Sequence, residues 1–340
     1  MPGQPKDDVV RSDSRRAAGE LDTVPAVDLA TLGETMAAFV RVELPDRYRL
    51  TTAGAESNVA TGMAQLGCRT QWWSRLGDDE LGGFVRDSLA GHGVEVSVDW
   101  DADRPTASCV KELGPTGSRM RYYRTRSAAS RLDLLDVAPL VGAARLHLTG
   151  VTPALSPGDR EVVELLFRER GAVGGTSFDV NYRPTLWAHD AEHAASVLVP
   201  LARMADVIFI GDDEAQALVG SADADVLADA LLTRDGQELV IKRGAGEATL
   251  VTPGMRVSVP ANRADVVDVT GAGDAFAAGY LAASAWGWDP HGRLQLGHFL
   301  ASRVVAVTGD TGPPVHPAEL ARVADSVGQA VPQRREGARR

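Results

Sequence analysis

The 340-residue chain is 44% hydrophobic and 24% charged, enough for one substantial core with an added subdomain. Its formal charge of -11 argues against a broad nucleic-acid or anionic-membrane surface, and no stretch has the length and apolarity of a membrane span. Only Cys68 and Cys109 are present, without His or Cys at ligand spacing, so each reads as a structural thiol and not as part of a disulfide framework.

Residues 1–25 are polar and lack an apolar signal core, so they read as a disordered leader on a cytoplasmic protein. Val27 to Val40 starts as a strand that Gly33-Glu34 interrupts. Asn58 to Leu66 carries small and apolar residues at helical spacing, and Gly67 supplies the stop. Thr70 to Ser74 reads as a short strand and Phe84 to Ala90 as a helix ending near Gly91. From Ser97 to Tyr123 apolar residues are sparse and mixed with Thr, Arg and Gly, which fits short β segments better than a crossover helix.

From Arg145 a regular rhythm returns. His147 to Thr149 lies at a strand end, Arg160 to Glu169 is helical, and Gly174 to Val180 leads into Asn181. Val207 to Ile210 is a buried strand, Gly211-Asp212-Asp213-Glu214 opens a helix, and Leu239 to Lys242 is a further strand. Ala275 to Ala285 is an Ala-rich helix and Leu294 to Val307 a last long one. Residues 319–340 hold the end of the C-terminal helix and an Arg-rich tail that reads as mobile. Such alternation predicts an α/β sheet covered on both faces.

The most informative segment is Asp268-Val269-Thr270-Gly271-Ala272-Gly273-Asp274-Ala275-Phe276. Its glycines let backbone N–H groups converge at a helix start, where a phosphoryl group fits. Asp274 at the helix mouth could accept the proton of an attacking hydroxyl. No P-loop ending in Gly-Lys-Ser/Thr is present. Lys242-Arg243-Gly244-Ala245-Gly246 follows a strand and is the next candidate for a nucleotide, although a surface turn would look similar.

DVTGAGDAFAA at Asp268 to Ala278 resembles the C-terminal signature of the ribokinase-like (PfkB) carbohydrate kinases. GAESNVA at Gly54, LGDDELG at Leu76, DVNYRP at Asp179 and KRGAG at Lys242 follow that family's order. The resemblance implies a ribokinase-like three-layer α/β/α sandwich over residues 26–318. It also implies a small β lid from about 37–50 and 97–123, and a homodimer formed through it. Asp274 would be the catalytic base, with Gly271, Ala272 and Gly273 as an anion hole. ATP would lie against Lys242, Gly244 and Gly246. Glu214 would act on magnesium through water, with Gly211 standing where the family has Asn. Asp268 and Thr270, with carbonyls of the 306–309 region, would hold potassium.

On the acceptor side, the resemblance assigns Gly54 and Asn58 to the sugar, with Ala53 in place of a usual Gly. Tyr122 and Arg124 share a strand face by their two-residue spacing. With Arg183 they match the substrate pattern of 2-keto-3-deoxygluconate kinases, and an Arg fork suits a carboxylate. The implied reaction is phosphorylation of 2-dehydro-3-deoxy-D-gluconate at its C6 hydroxyl. A fructokinase or ribokinase acting on a neutral sugar is the alternative within the family. A noncatalytic sugar-binding regulator is the alternative of another class.

Overall fold

A computed structural model describes residues 27–332, save 44–45, 115–116 and 171–174. The leader and the last eight residues of the Arg-rich tail lie outside the described residues. The chain opens with strand β1 (Leu29–Leu32), then β2 (Met36–Glu43) and β3 (Arg47–Ala53), before helix α1 (Ala55–Gln65). Strand β4 (Thr70–Gly77), helix α2 (Glu80–Gly91) and strand β5 (Glu95–Asp101) follow. Both helices begin earlier than their apolar spacing suggests. Gly54 is the N-cap of α1, and Asp79 caps α2 by accepting the Gly82 N–H at 2.7 Å.

Strands β6 (Ser108–Gly114) and β7 (Gly117–Tyr123) form a hairpin, after which β8 (Leu146–Thr149) re-enters the main sheet. Helix α3 (Pro157–Arg170), β9 (Thr176–Asp179), α4 (Ala191–Met204) and β10 (Val207–Gly211) continue the alternation. Helices α5 (Asp212–Leu218) and α6 (Ala224–Leu231) precede strands β11 (Glu238–Lys242), β12 (Glu247–Thr252) and β13 (Met255–Pro260). The chain closes with α7 (Ala272–Ala285), α8 (Pro290–Val305) and α9 (Pro317–Ser326).

The main sheet has nine strands in the order β13-β12-β11-β10-β9-β8-β1-β4-β5. Strands β11 through β5 in that order run parallel, and the β11-β12-β13 edge is antiparallel. The pleat explains the two cores. Ile208 and Ile210 pack with α3, α4 and α6, whereas Val207 and Phe209 pack with α1, α7 and α8. Both faces of the sheet are thus covered, as in a ribokinase-like α/β sandwich. None of the helices among the described residues is long and apolar enough to cross a membrane.

A second sheet of four strands, β3-β2-β6-β7, is separate in its hydrogen bonding and holds the segments expected as a lid. One expectation needs correcting here. Residues 97–101, assigned to the lid, lie in β5, which pairs in parallel with β4 at the edge of the main sheet. Its half-buried, polar pattern is that of an edge strand with one open side, which resembles lid sequence locally. Cys68 and Cys109 are both buried free thiols, and burial pushes each up to about 12.

Candidate active site

The carboxyl ends of the parallel strands converge under the lid, where an open α/β sheet offers its natural crevice. Gly54, Asn58, Tyr122, Arg124, Arg183, Thr270, Gly271 and Asp274 all line one cleft there. Gly54 permits a close approach, because a Cβ would stand 2.6 Å from both the Glu34 carbonyl oxygen and the Thr35 hydroxyl. Neighbouring Ala53 also lines the cleft, so its methyl is accommodated.

Asp274 sits in the first turn of α7 and is almost fully buried. Asn58 donates from Nδ2 to its Oδ2 at 2.8 Å, and Asn181 donates to its Oδ1 at 3.4 Å. Burial raises the carboxyl to about 7, and the charge of Asp179 adds to this, against Asn58, Arg183 and Lys242. An acid titrating there is matched to proton transfer near neutral pH. Asn181 holds φ at +42°, a left-handed conformation that Asn tolerates better than most residues with a Cβ.

Gly271, the N-cap of α7, has φ +79°. A Cβ there would collide with the Asp310 carbonyl, so only glycine fits on both counts. Of the expected donors, Ala272 differs from expectation: its N–H turns back to the Val269 carbonyl at 3.3 Å. A helix mouth of this kind favours a negative charge.

The KRGAG segment divides. Lys242 closes β11 and reaches Asp179 Oδ2 at 2.5 Å, with its Nζ 3.3 Å from where a Gly273 Cβ would stand. Burial alone would lower this lysine, but Asp179 and Glu214 outweigh burial and hold it above its ordinary value. Gly244 and Gly246 lie in the exposed turn after β11 and are not among the residues lining the acceptor cleft. Glu214 is buried at the start of α5, where its Oε2 accepts the Gly211 N–H at 2.8 Å. Burial, then Asp179, raises its carboxyl. Part of its role is therefore that of an ordinary first-turn cap.

One further expectation is changed by the structure. Arg124 is not a free fork, since its Nη2 lies 2.6 Å from Glu34 Oε2 in a largely buried pair. Arg183 is the more available guanidinium: its side chain is 50% exposed and it approaches Glu214 only at 3.6 Å. Tyr122 is 43% exposed and lies under Arg124, whose guanidinium is 5.8 Å from the ring centre.

Nothing in the site supports the potassium expectation, because Asp268 is already engaged. Asp268 Oδ2 is 2.5 Å from Lys111 Nζ, and Asp268 Oδ1 accepts both the N–H and the hydroxyl of Thr270, at 3.1 and 2.8 Å. Burial would raise Asp268, but these bonds together bring it below the ordinary value. The Lys111 ammonium thus takes one Asp268 oxygen of the set expected to hold the ion.

Sequence reasoning passed over Glu34, Lys111, Asp179, Asn181 and Asp310. Asp179 and Asn181 stood inside the recognised DVNYRP, and Glu34 interrupts an apolar strand, which was a usable signal. Lys111 and Asp310 gave no local sign, because they meet only in the folded chain.

The pattern of the pfkB family carbohydrate kinases matches residues 26–316. The 2-dehydro-3-deoxygluconokinase of Bacillus subtilis strain 168 is 34% identical over 296 residues, 84% of this chain and 91% of its own length. The 2-dehydro-3-deoxygalactonokinase of Haloferax volcanii is 35% identical over 309 residues, 87% of this chain and 96% of its own. The crystal structure of a PfkB protein from Polaromonas sp. JS666 superposes with a TM-score of 0.77 at 32% identity, covering 87% of this chain and 99% of its own. The glycine-built helix mouth with a carboxylate beside it thus sits in a fold and sequence shared along nearly the whole length. The chain belongs to the pfkB family of ATP-dependent carbohydrate kinases.

Proposed function

We propose that the protein transfers the γ-phosphoryl group of ATP to the C6 hydroxyl of 2-dehydro-3-deoxy-D-gluconate. The observation that carries the reading is one cleft holding both a neutral-range Asp274 and an available Arg183. The first group suits a hydroxyl nucleophile, and the second suits a carboxylate at the far end of the acceptor.

In this mechanism Asn58 and Asn181 each donate to one oxygen of the Asp274 carboxylate and hold it in place, and each oxygen keeps a lone pair for the acceptor's proton. Asp274 takes the C6 hydroxyl proton as the oxygen–phosphorus bond forms. The bond between the γ-phosphorus and the β,γ-bridging oxygen breaks, and ADP leaves with that oxygen. The α7 helix mouth and Lys242 stabilise the negative charge on the transferring group. Tyr122, on the lid, covers the acceptor and limits water.

The residues present fit magnesium with few direct protein ligands. Among the described residues no cluster of three or more ligating side chains occurs, but Asp179 Oδ1 is buried without a hydrogen-bond partner. Asp179 and Glu214 would hold the ion through water. Magnesium, when bound with ATP, neutralises phosphate charge while keeping most of its hydration.

The C4 epimer of this keto-deoxy acid is the second reading, favoured by the 35% identity to the Haloferax volcanii galactonate-type kinase. Phosphorus NMR of the product tests the chemistry common to both. A phosphomonoester coupled to the C6 methylene protons is expected. Phosphate on a secondary carbon, or ATP hydrolysis with unmodified acceptor, would contradict the reading.

A further inference from the structure

Lys111 is a buried cation on an inward lid position. In β6 it follows Cys109 by two residues, so both project to the same side. The antiparallel register sets Cys109 opposite Tyr122, and Lys111 opposite Met120. One face of this hairpin therefore carries both the ring over the cleft and an ammonium group.

Its side chain is 1% exposed, and the ammonium lies 2.5 Å from Asp268 Oδ2 and 3.1 Å from Asp310 Oδ1. A lysine so buried persists only when paired. Both partners belong to the walls of the anion site. Asp268 fixes the N–H and hydroxyl of Thr270, next to Gly271, and the Asp310 backbone packs directly on Gly271. Arg49, from lid strand β3, donates to the Thr308 carbonyl at 2.8 Å. Two lid cations thus engage oxygens from the set expected to bind potassium.

The acceptor capacity of Asp268 settles the fit. A carboxylate offers about four lone-pair directions. Thr270 uses two on Oδ1; Lys111 and, at 3.5 Å, the Gly309 N–H occupy Oδ2. A metal ion there would have to displace the ammonium or stand against it at contact distance, like charge on like charge. The residues do not fit a bound monovalent metal.

We infer that the Lys111 ammonium is the resident cation of this enzyme, replacing a monovalent metal ion behind the anion site, so that turnover needs no potassium. Because Lys111 rides on the lid, seating the lid over the acceptor also orders the Thr270-Gly271 turn. Lys111 is a positioning residue: it acts through Asp268 and Asp310 and does not touch the reacting atoms. The inference rests on the kinase reading of the Asp274 site, and its test includes a readout independent of that reading.

Wild-type turnover should be equal in tetramethylammonium, sodium, potassium and ammonium chloride at constant ionic strength. Strong activation by potassium over sodium would overturn the inference. Lys111→Ala should lower kcat by ~100-fold, the scale for losing one preorganised electrostatic group, with little change in acceptor KM. Potassium or ammonium should restore much of that loss, which a merely structural lysine would not allow. A loss that neither cation relieves overturns the inference. Thermal melting decides without turnover: the wild type should ignore the choice of cation, and Lys111→Ala should be stabilised by potassium or ammonium over tetramethylammonium. Potassium stabilisation of the wild type over sodium would contradict the inference. If no acceptor is phosphorylated, the kinase reading fails while the melting series still tests the cation site.

Discussion

Asp274→Asn should lower kcat by at least ~100-fold while ATP binding persists, the scale expected when a general base is lost. The substitution keeps shape but leaves no group able to take the hydroxyl proton. The wild type should show the same dependence through pH. Burial raises the Asp274 carboxyl from an ordinary 3.8 to about 7, and the carboxylate is the active form. Hence kcat/KM should rise with pH up to about 7 and level off above it. The sign for stability is opposite. The folded state holds this proton more tightly than the unfolded one, so the contribution is present in acid and lost as pH rises to about 7. A kinetic profile flat from pH ~5.5 to ~8, or near-normal turnover by Asp274→Asn, would remove Asp274 from its role.

Arg183→Leu should selectively damage use of the acidic acceptor. Arg183 is the cleft guanidinium with the weakest internal commitment, at 3.6 Å from Glu214. A charged hydrogen bond of this kind contributes about 1.5–3 kcal/mol, so kcat/KM for the keto-deoxy acid should fall roughly ten- to a hundredfold. Fructose and ribose, which lack the carboxylate, should lose much less. Equal losses for all acceptors would place Arg183 at the transferring phosphoryl group, close to Asp274, and not at the acceptor carboxylate. Arg124→Leu is the poorer probe, because it strands the buried Glu34 carboxylate without its cation.

The phosphoryl-transfer end of this site was legible because its parts lie in one segment. Gly271 and Asp274 are three residues apart, and the turn and helix start that join them are local features. The same holds for the alternating strands, whose apolar runs gave the doubly covered sheet. What stayed hidden was long-range. Arg124 looked free because its partner, Glu34, is far upstream in the chain. Asp268 looked like a metal ligand because Lys111 belongs to a separate lid strand. β5 looked like lid because an exposed edge strand and a lid strand share the same half-polar pattern. Pairing between distant segments decides such cases, and periodicity within a segment carries no record of it.

ATP-dependent phosphorylation of a keto-deoxy sugar acid is read out by an ADP-release assay across acceptors. The purified chain is given ATP, magnesium and, in turn, 2-dehydro-3-deoxy-D-gluconate, its C4 epimer, gluconate, fructose and ribose. The highest kcat/KM is expected for 2-dehydro-3-deoxy-D-gluconate, with the neutral sugars well behind. A clear preference for fructose or ribose, or no acceptor-dependent ADP release at all, would contradict it.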